Sequence, residues 1–342
     1  MKVSEETSQK IKNMSIICAM LVVMIHVQTP TNFPFFREWI TGCIAQIGVP
    51  FFFVVSGFLL LNHTDESNWW LKTIKKRFHS LVIPFFCLNI AYFPIKYACH
   101  YVGYKYFGAD HSNPIMELTI KNFLISISPY PISGGPVIGP LWYVRALIYL
   151  VIFSPLFLWI LKKSKSAAWM FVALVFAAWA LQRHYFTTEF EFSLRCLFYF
   201  STGCTLRLWG GFVIKHIGAV ASIILGLFLF FSAHQLNIPN QDITSLACTL
   251  SVVFLLVGFW HFTPANRWPL FLTENAFALY VLHTPIIYLS GVVYKALKLT
   301  AFATSITGVS IFTVFYIVSS CFLGNVIRHK TPKLATLFFG GR

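Results

Sequence analysis

The chain has 342 residues, of which 57% are hydrophobic and 11% charged, with a formal net charge of +15. So little charge cannot cover the surface of a water-soluble domain of this length, which excludes an ordinary globular protein. Apolar stretches of membrane-spanning length recur from one end to the other and run on without alternating, which points to an all-α polytopic membrane protein and away from a β-barrel.

In chain order, residues 1–12 read as a charged cytoplasmic lead-in. The first apolar run has no small-residue cleavage site, so no cleavable signal peptide is expected. Ten spans follow, at 13–29, 40–61, 78–98, 137–161, 167–181, 192–209, 212–233, 243–262, 271–294 and 301–326. The fifth is short for a bilayer core, which needs ~20 residues. The longest piece between spans, 100–136, is expected outside. Its "SPYPISGGPVIGP" reads as an ordered turn-rich loop or a re-entrant segment. Residues 327–342 read as a cytoplasmic tail, and 1–342 as a single membrane domain with no soluble domain attached.

Lys and Arg set the orientation. With the N-terminus inside, 17 of the 26 cations fall in cytoplasmic pieces, among them Lys72, Lys75, Lys76 and Arg77, and 7 fall in outer pieces, counting Lys96 at the outer end of the third span. Arg145 and Arg195 lie inside spans. Both termini are therefore expected inside, in an inner or plasma membrane. The positive charge then reflects topology and attraction to anionic lipid rather than nucleic-acid binding. The eight cysteines are scattered singly, with no metal-ligand spacing, and read as small packing residues; no metal is expected.

Ionisable groups at membrane depth are costly and mark candidate sites. His26, the sole ionisable group in its apolar run, lies about 20 Å beyond Lys12 at the rise of a helix. Arg145 enters from the outer side about 9 Å below Gly139, and His283 lies about 14 Å beyond Glu274. Each has a structural alternative. Glu191 and Arg195, at i and i+4, neutralise each other. Arg145 snorkels to headgroups. His283 satisfies a carbonyl freed by Pro285, and His26 simply packs.

A set of short motifs goes further. "SIICAMLVVMIHV", "GVPFFFVVSGFLL", "KKRFHSLVIPFF", "LWYVRALIYLVIFSP", "YFSTGC" and "ENAFALYVLHTPIIYL" occur in this order. Over nearly the whole chain this resembles the acyltransferase 3 family, membrane enzymes that O-acylate extracytoplasmic carbohydrates and related surface polymers. The chain resembles the short form, without an appended soluble domain. Two positions depart from the family pattern. Arg77 fits the first place of an Arg-x-x-Arg at the start of the third span, but Ser80 stands at the second. The stretch after Trp142 holds Arg145 and Leu147, with no glutamate.

The resemblance implies that His26 is the catalytic histidine. A neutral imidazole can take the proton of a sugar hydroxyl as it attacks a thioester, or it can carry the acyl group itself; both routes stay open. Arg145, Tyr143 or His283 could then hold the oxyanion. Lys75, Lys76 and Arg77 are assigned to the phosphates of acyl-coenzyme A, with acetyl as the default group and succinyl as the runner-up. Trp142, Tyr143 and Arg195 are assigned to substrate. Expected partners are the bilayer and a glycan or surface-polymer acceptor. A transporter or exporter binding an anionic solute through Arg145 and Arg195 is the alternative; the hydropathy shows no two-half inverted repeat.

Overall fold

The computed structural model describes residues 3–27, 33, 35–61, 68–107, 124–125, 136–185, 194–210, 216–235 and 241–341. Their main helices are α1 (Glu5–His26), α2 (Gly48–Leu60), α3 (Trp69–Arg77), α4 (Ile83–Phe107), α5 (Trp142–Ile152), α6 (Ser154–Leu161), α7 (Lys165–Tyr185), α8 (Leu194–Trp209), α9 (His216–Gln235), α10 (Gln241–Phe262), α11 (Ala276–Ala296), α12 (Ile306–Lys330) and α13 (Pro332–Phe339). No strand occurs among the described residues. Among the described residues eight helices are long and apolar enough to cross a membrane, or nine when one bent pair counts as a single span. The chain is an all-α, multi-pass membrane protein. The sixth expected span corresponds to α8, of which 16 residues are described.

Several elements differ from the sequence reading. The charged lead-in is not separate, because α1 already starts at Glu5. Ser4 caps it by accepting a hydrogen bond from the Thr7 amide, and Glu5 and Glu6 occupy the electropositive first turn. The fifth span is longer than expected, since α7 has 21 residues. The fourth is broken, with the helical segment Gly139–Ile152 and α6 meeting at 63°. Pro155, near the start of α6, has no amide to continue the ladder, so the chain starts a new helix there. Most of "SPYPISGGPVIGP" lies outside the described residues; its end forms a 3-10 turn over Gly139–Leu141.

Large apolar side chains point outward from the bundle, including Leu156, Trp159, Leu174, Phe228, Val314 and Phe322. In water such a surface would aggregate, but against lipid tails it is matched. One end of the bundle is basic and tied by polar contacts. Arg267 pairs with Glu5 at 2.9 Å. Asn13 donates to the carbonyls of Pro264 and Asn266. Arg328 reaches the Glu274 carbonyl and the Asn275 side chain. Lysines sit over indole rings at this end, Lys10 on Trp260 and Lys162 on Trp69. This basic end holds the starts of α1, α4 and α11, so all three run away from it in the same direction.

Helices α2 and α8 approach closely because each offers a glycine. A Cβ added at Gly57 would stand 2.0 Å from the Phe200 carbonyl oxygen, and one at Gly203 would stand 1.9 Å from that of Val54. Small residues at such a crossing let two backbones touch, which substitutes for the hydrophobic drive that lipid removes. Gly57→Ala is therefore expected to cost about 1–3 kcal/mol, the usual cost of overpacking. Gly139→Ala, with nothing within 4 Å of the new methyl group, is expected to cost little. Thermal melting of the purified variants in detergent checks the difference.

Candidate functional site

His26 is the last residue of α1, and its side chain is exposed. Its Nδ1 lies 2.8 Å from the Val22 carbonyl oxygen. A carbonyl oxygen only accepts, so Nδ1 of the neutral ring carries the hydrogen and Nε2 keeps its lone pair. Nε2 meets no protein partner among the described residues. His283, in α11, is fully buried and follows the same pattern. Its Nδ1 lies 3.0 Å from the Leu279 carbonyl oxygen, so Nε2 is the acceptor and takes a hydrogen bond from the Thr284 hydroxyl at 3.2 Å. The carbonyl left without its helical donor by Pro285 is that of Val281; the imidazole serves Leu279 instead.

The packing of α1 on α11 brings the two rings together, with centroids 5.1 Å apart and planes inclined by 59°. Thus a ring with an open basic nitrogen rests on a buried ring with both nitrogens occupied. Behind His283 lies a cluster of aromatic and hydroxyl groups. Tyr280, one turn before it, has its ring 6.4 Å from His283 and 5.8 Å from Tyr143. The Tyr280 hydroxyl donates to the Pro140 carbonyl at 2.5 Å. The Tyr143 hydroxyl meets Ser56 Oγ at 3.0 Å and the Phe52 carbonyl at 3.2 Å. Arg77 lies within electrostatic range of Tyr143. A line of polar side chains therefore runs from the basic end, through Arg77, Tyr143 and Tyr280, to the histidine pair.

Comparison with known proteins decides the family. An acyltransferase domain model matches residues 10–325. The chain belongs to the acyltransferase 3 family. The succinoglycan biosynthesis protein ExoH of Rhizobium meliloti (strain 1021) is similar to it, at 23% identity over 98% of this chain and 92% of that protein. No solved structure matches the chain. The protein is accordingly a membrane-embedded O-acyltransferase.

The acyltransferase 3 motifs take different places in the bundle. The Ser56-Gly57-Phe58 motif divides its work. Gly57 makes the α2–α8 crossing against "YFSTGC", Ser56 holds Tyr143, and the Phe58 ring lies 5.1 Å from the Arg207 guanidinium. Of the basic cluster, Lys72, Lys75 and Lys76 are exposed while Arg77 is half-buried. Ser80 lies against the C-terminal turn after α13, where a Cβ on Gly340 would come within 2.6 Å of its Cα. The tail thus folds back on the third-span motif.

The other expected residues have neighbours of their own. Arg145 is 1% exposed and interacts with Tyr149, one turn on. It sits about 200° round the helix from Tyr143, on a different face. Trp142 is half-buried against Phe53 at 6.1 Å. Arg195 is exposed and interacts with Tyr199, and its expected partner Glu191 lies outside the described residues. Tyr280 was not singled out from the sequence, although its place at i−3 from His283 puts it on the same helix face.

Proposed function

We propose that the protein moves a short acyl group, acetyl first and succinyl second, from acyl-coenzyme A to a hydroxyl of an extracytoplasmic polysaccharide. The carrying observation is the Nε2 of His26, unpartnered among the described residues and presented on a ring held by Val22 and His283. As the acceptor hydroxyl oxygen bonds to the thioester carbonyl carbon, its proton passes to Nε2. The tetrahedral intermediate then collapses, the carbon–sulfur bond breaks, and the coenzyme A thiolate leaves with the proton from the imidazolium. The C-terminal carbonyl end of α1 favours the positive charge that the ring holds between these steps. The relative named for succinoglycan biosynthesis supports a polysaccharide acceptor.

The donor enters at the basic end, with both termini cytoplasmic, in the plasma membrane. Arg77 grips a phosphate, and the pantetheine arm follows Tyr143 and Tyr280 inward. Purified protein in nanodiscs, given labelled acetyl- and succinyl-coenzyme A with polysaccharide, tests the reading: label should reach the glycan. Solute flux into liposomes with no acyl transfer would favour a transporter instead. Arg77→Ala should raise the donor KM about tenfold or more, the scale of one charge-assisted hydrogen bond, and leave the acceptor KM unchanged. Arg77→Lys should restore part of it, because it keeps the charge but loses the bidentate fork.

A further inference from the structure

Lys96 lies inside α4 rather than in an outer loop, and it is 7% exposed. It stands about 28 Å along the helical path from Arg77, toward the end opposite the basic one. One of its three N–H donors meets the Val137 carbonyl at 3.3 Å, and its ammonium lies 5.6 Å from the Tyr288 ring centroid. No carboxylate neutralises it among the described residues. One turn back on the same face is Tyr92, 3% exposed, whose hydroxyl is buried with no hydrogen-bond partner among the described residues. The Tyr92 and Tyr288 rings meet edge to face at 6.4 Å.

Each of these features is costly unless something answers it. A buried cation requires a counter-charge, and a buried hydroxyl left unsatisfied is destabilising. The two costs fall side by side. Tyr288 is five residues beyond His283 on α11, about 7.5 Å further from the basic end. The cluster therefore sits just past the histidine pair, on the side opposite Arg77. Asn89, two turns before Lys96, receives the Ile138 amide, so both residues also anchor the turn that leads into Trp142 and Tyr143.

We propose that Lys96, the Tyr92 hydroxyl and the Tyr288 ring form an acceptor subsite that binds the carboxylate of an acidic sugar. This rests on the acyltransferase reading above. One ammonium and one neutral hydroxyl match a single negative charge, whereas a phosphate dianion would remain half-compensated. A carboxylate offers one oxygen to each donor, and the sugar's apolar face can lie on the exposed side of Tyr288. Lys96 points between α4 and α11 and not to the lipid, which disfavours a headgroup.

The test measures binding without donor or turnover, so it fails or succeeds independently of the transfer chemistry. Protein in phosphatidylcholine nanodiscs is titrated calorimetrically with cellobiouronic acid and with cellobiose, which differ by one carboxylate. The acid should bind at least about tenfold more tightly, the scale of a hydrogen bond to a charged group. Lys96→Met should abolish that preference, Lys96→Arg should retain most of it, and Tyr92→Phe should reduce it with Lys96 intact. Equal affinities, or no binding of the acid, in the wild-type protein overturn the proposal. So does a preference that survives in Lys96→Met, or one that phosphatidylglycerol in the nanodisc abolishes, which would assign the site to a lipid. Acyl transfer to neutral glycan with no acid preference would defeat the subsite alone.

Discussion

His26→Gln is expected to lose nearly all acyl transfer while inserting and folding normally. Glutamine keeps polar atoms near the Val22 carbonyl but offers no basic nitrogen where Nε2 stands. A general base contributes about 100- to 10,000-fold, so the variant should fall by at least the lower figure. His26→Ala should fall as far. It should not misfold, since the side chain is exposed at the end of α1 and its hydrogen bond to Val22 is to the carbonyl of its own preceding turn. The measurement is label transfer by equal amounts of each protein, with gel-filtration profiles checking the fold. Near-normal transfer by His26→Gln would leave the histidine a packing residue and remove the base from the mechanism.

How much of this was legible beforehand depends on the kind of signal. Continuous apolar runs announce helices wherever the lipid demands them, so the class and most spans could be read directly. Their breaks were legible only in part. The Ser154-Pro155 pair is a visible stop, yet whether the chain bends or merely kinks there depends on neighbours. His26 stood out because no other ionisable group shares its run. Its meeting with His283 could not be read, because depth along two helices does not fix their rotation about their axes. The same ambiguity applies to Arg145, whose depth resembles that of the pair while its helix face differs from that of Tyr143. Lys96 was hidden for another reason. A cation near the end of a span counts toward loop charge, and only the packing of Tyr288 and Val137 shows it turned inward.

His283→Ala should lower kcat strongly with little change in either KM. The ring packs against that of His26, with centroids 5.1 Å apart, and both of its own nitrogens are engaged. It is thus a positioning residue: it fixes how far the His26 ring can tilt. A displacement of about 1 Å at a reacting group can cost on the order of 100-fold, and that is the loss expected. Two further variants separate ring from hydrogen bond. His283→Asn can keep the bond to Leu279, as Asn89 and Asn275 do with the carbonyls four residues before them, but it removes the ring packed against His26. His283→Phe keeps the ring and removes the bonds. If the packed ring positions the base, the Phe variant retains more kcat than the Asn variant. If the Leu279 and Thr284 network holds α11 in place, the order reverses and melting temperature falls with activity. Equal and near-normal kcat in all three variants would detach His283 from the site.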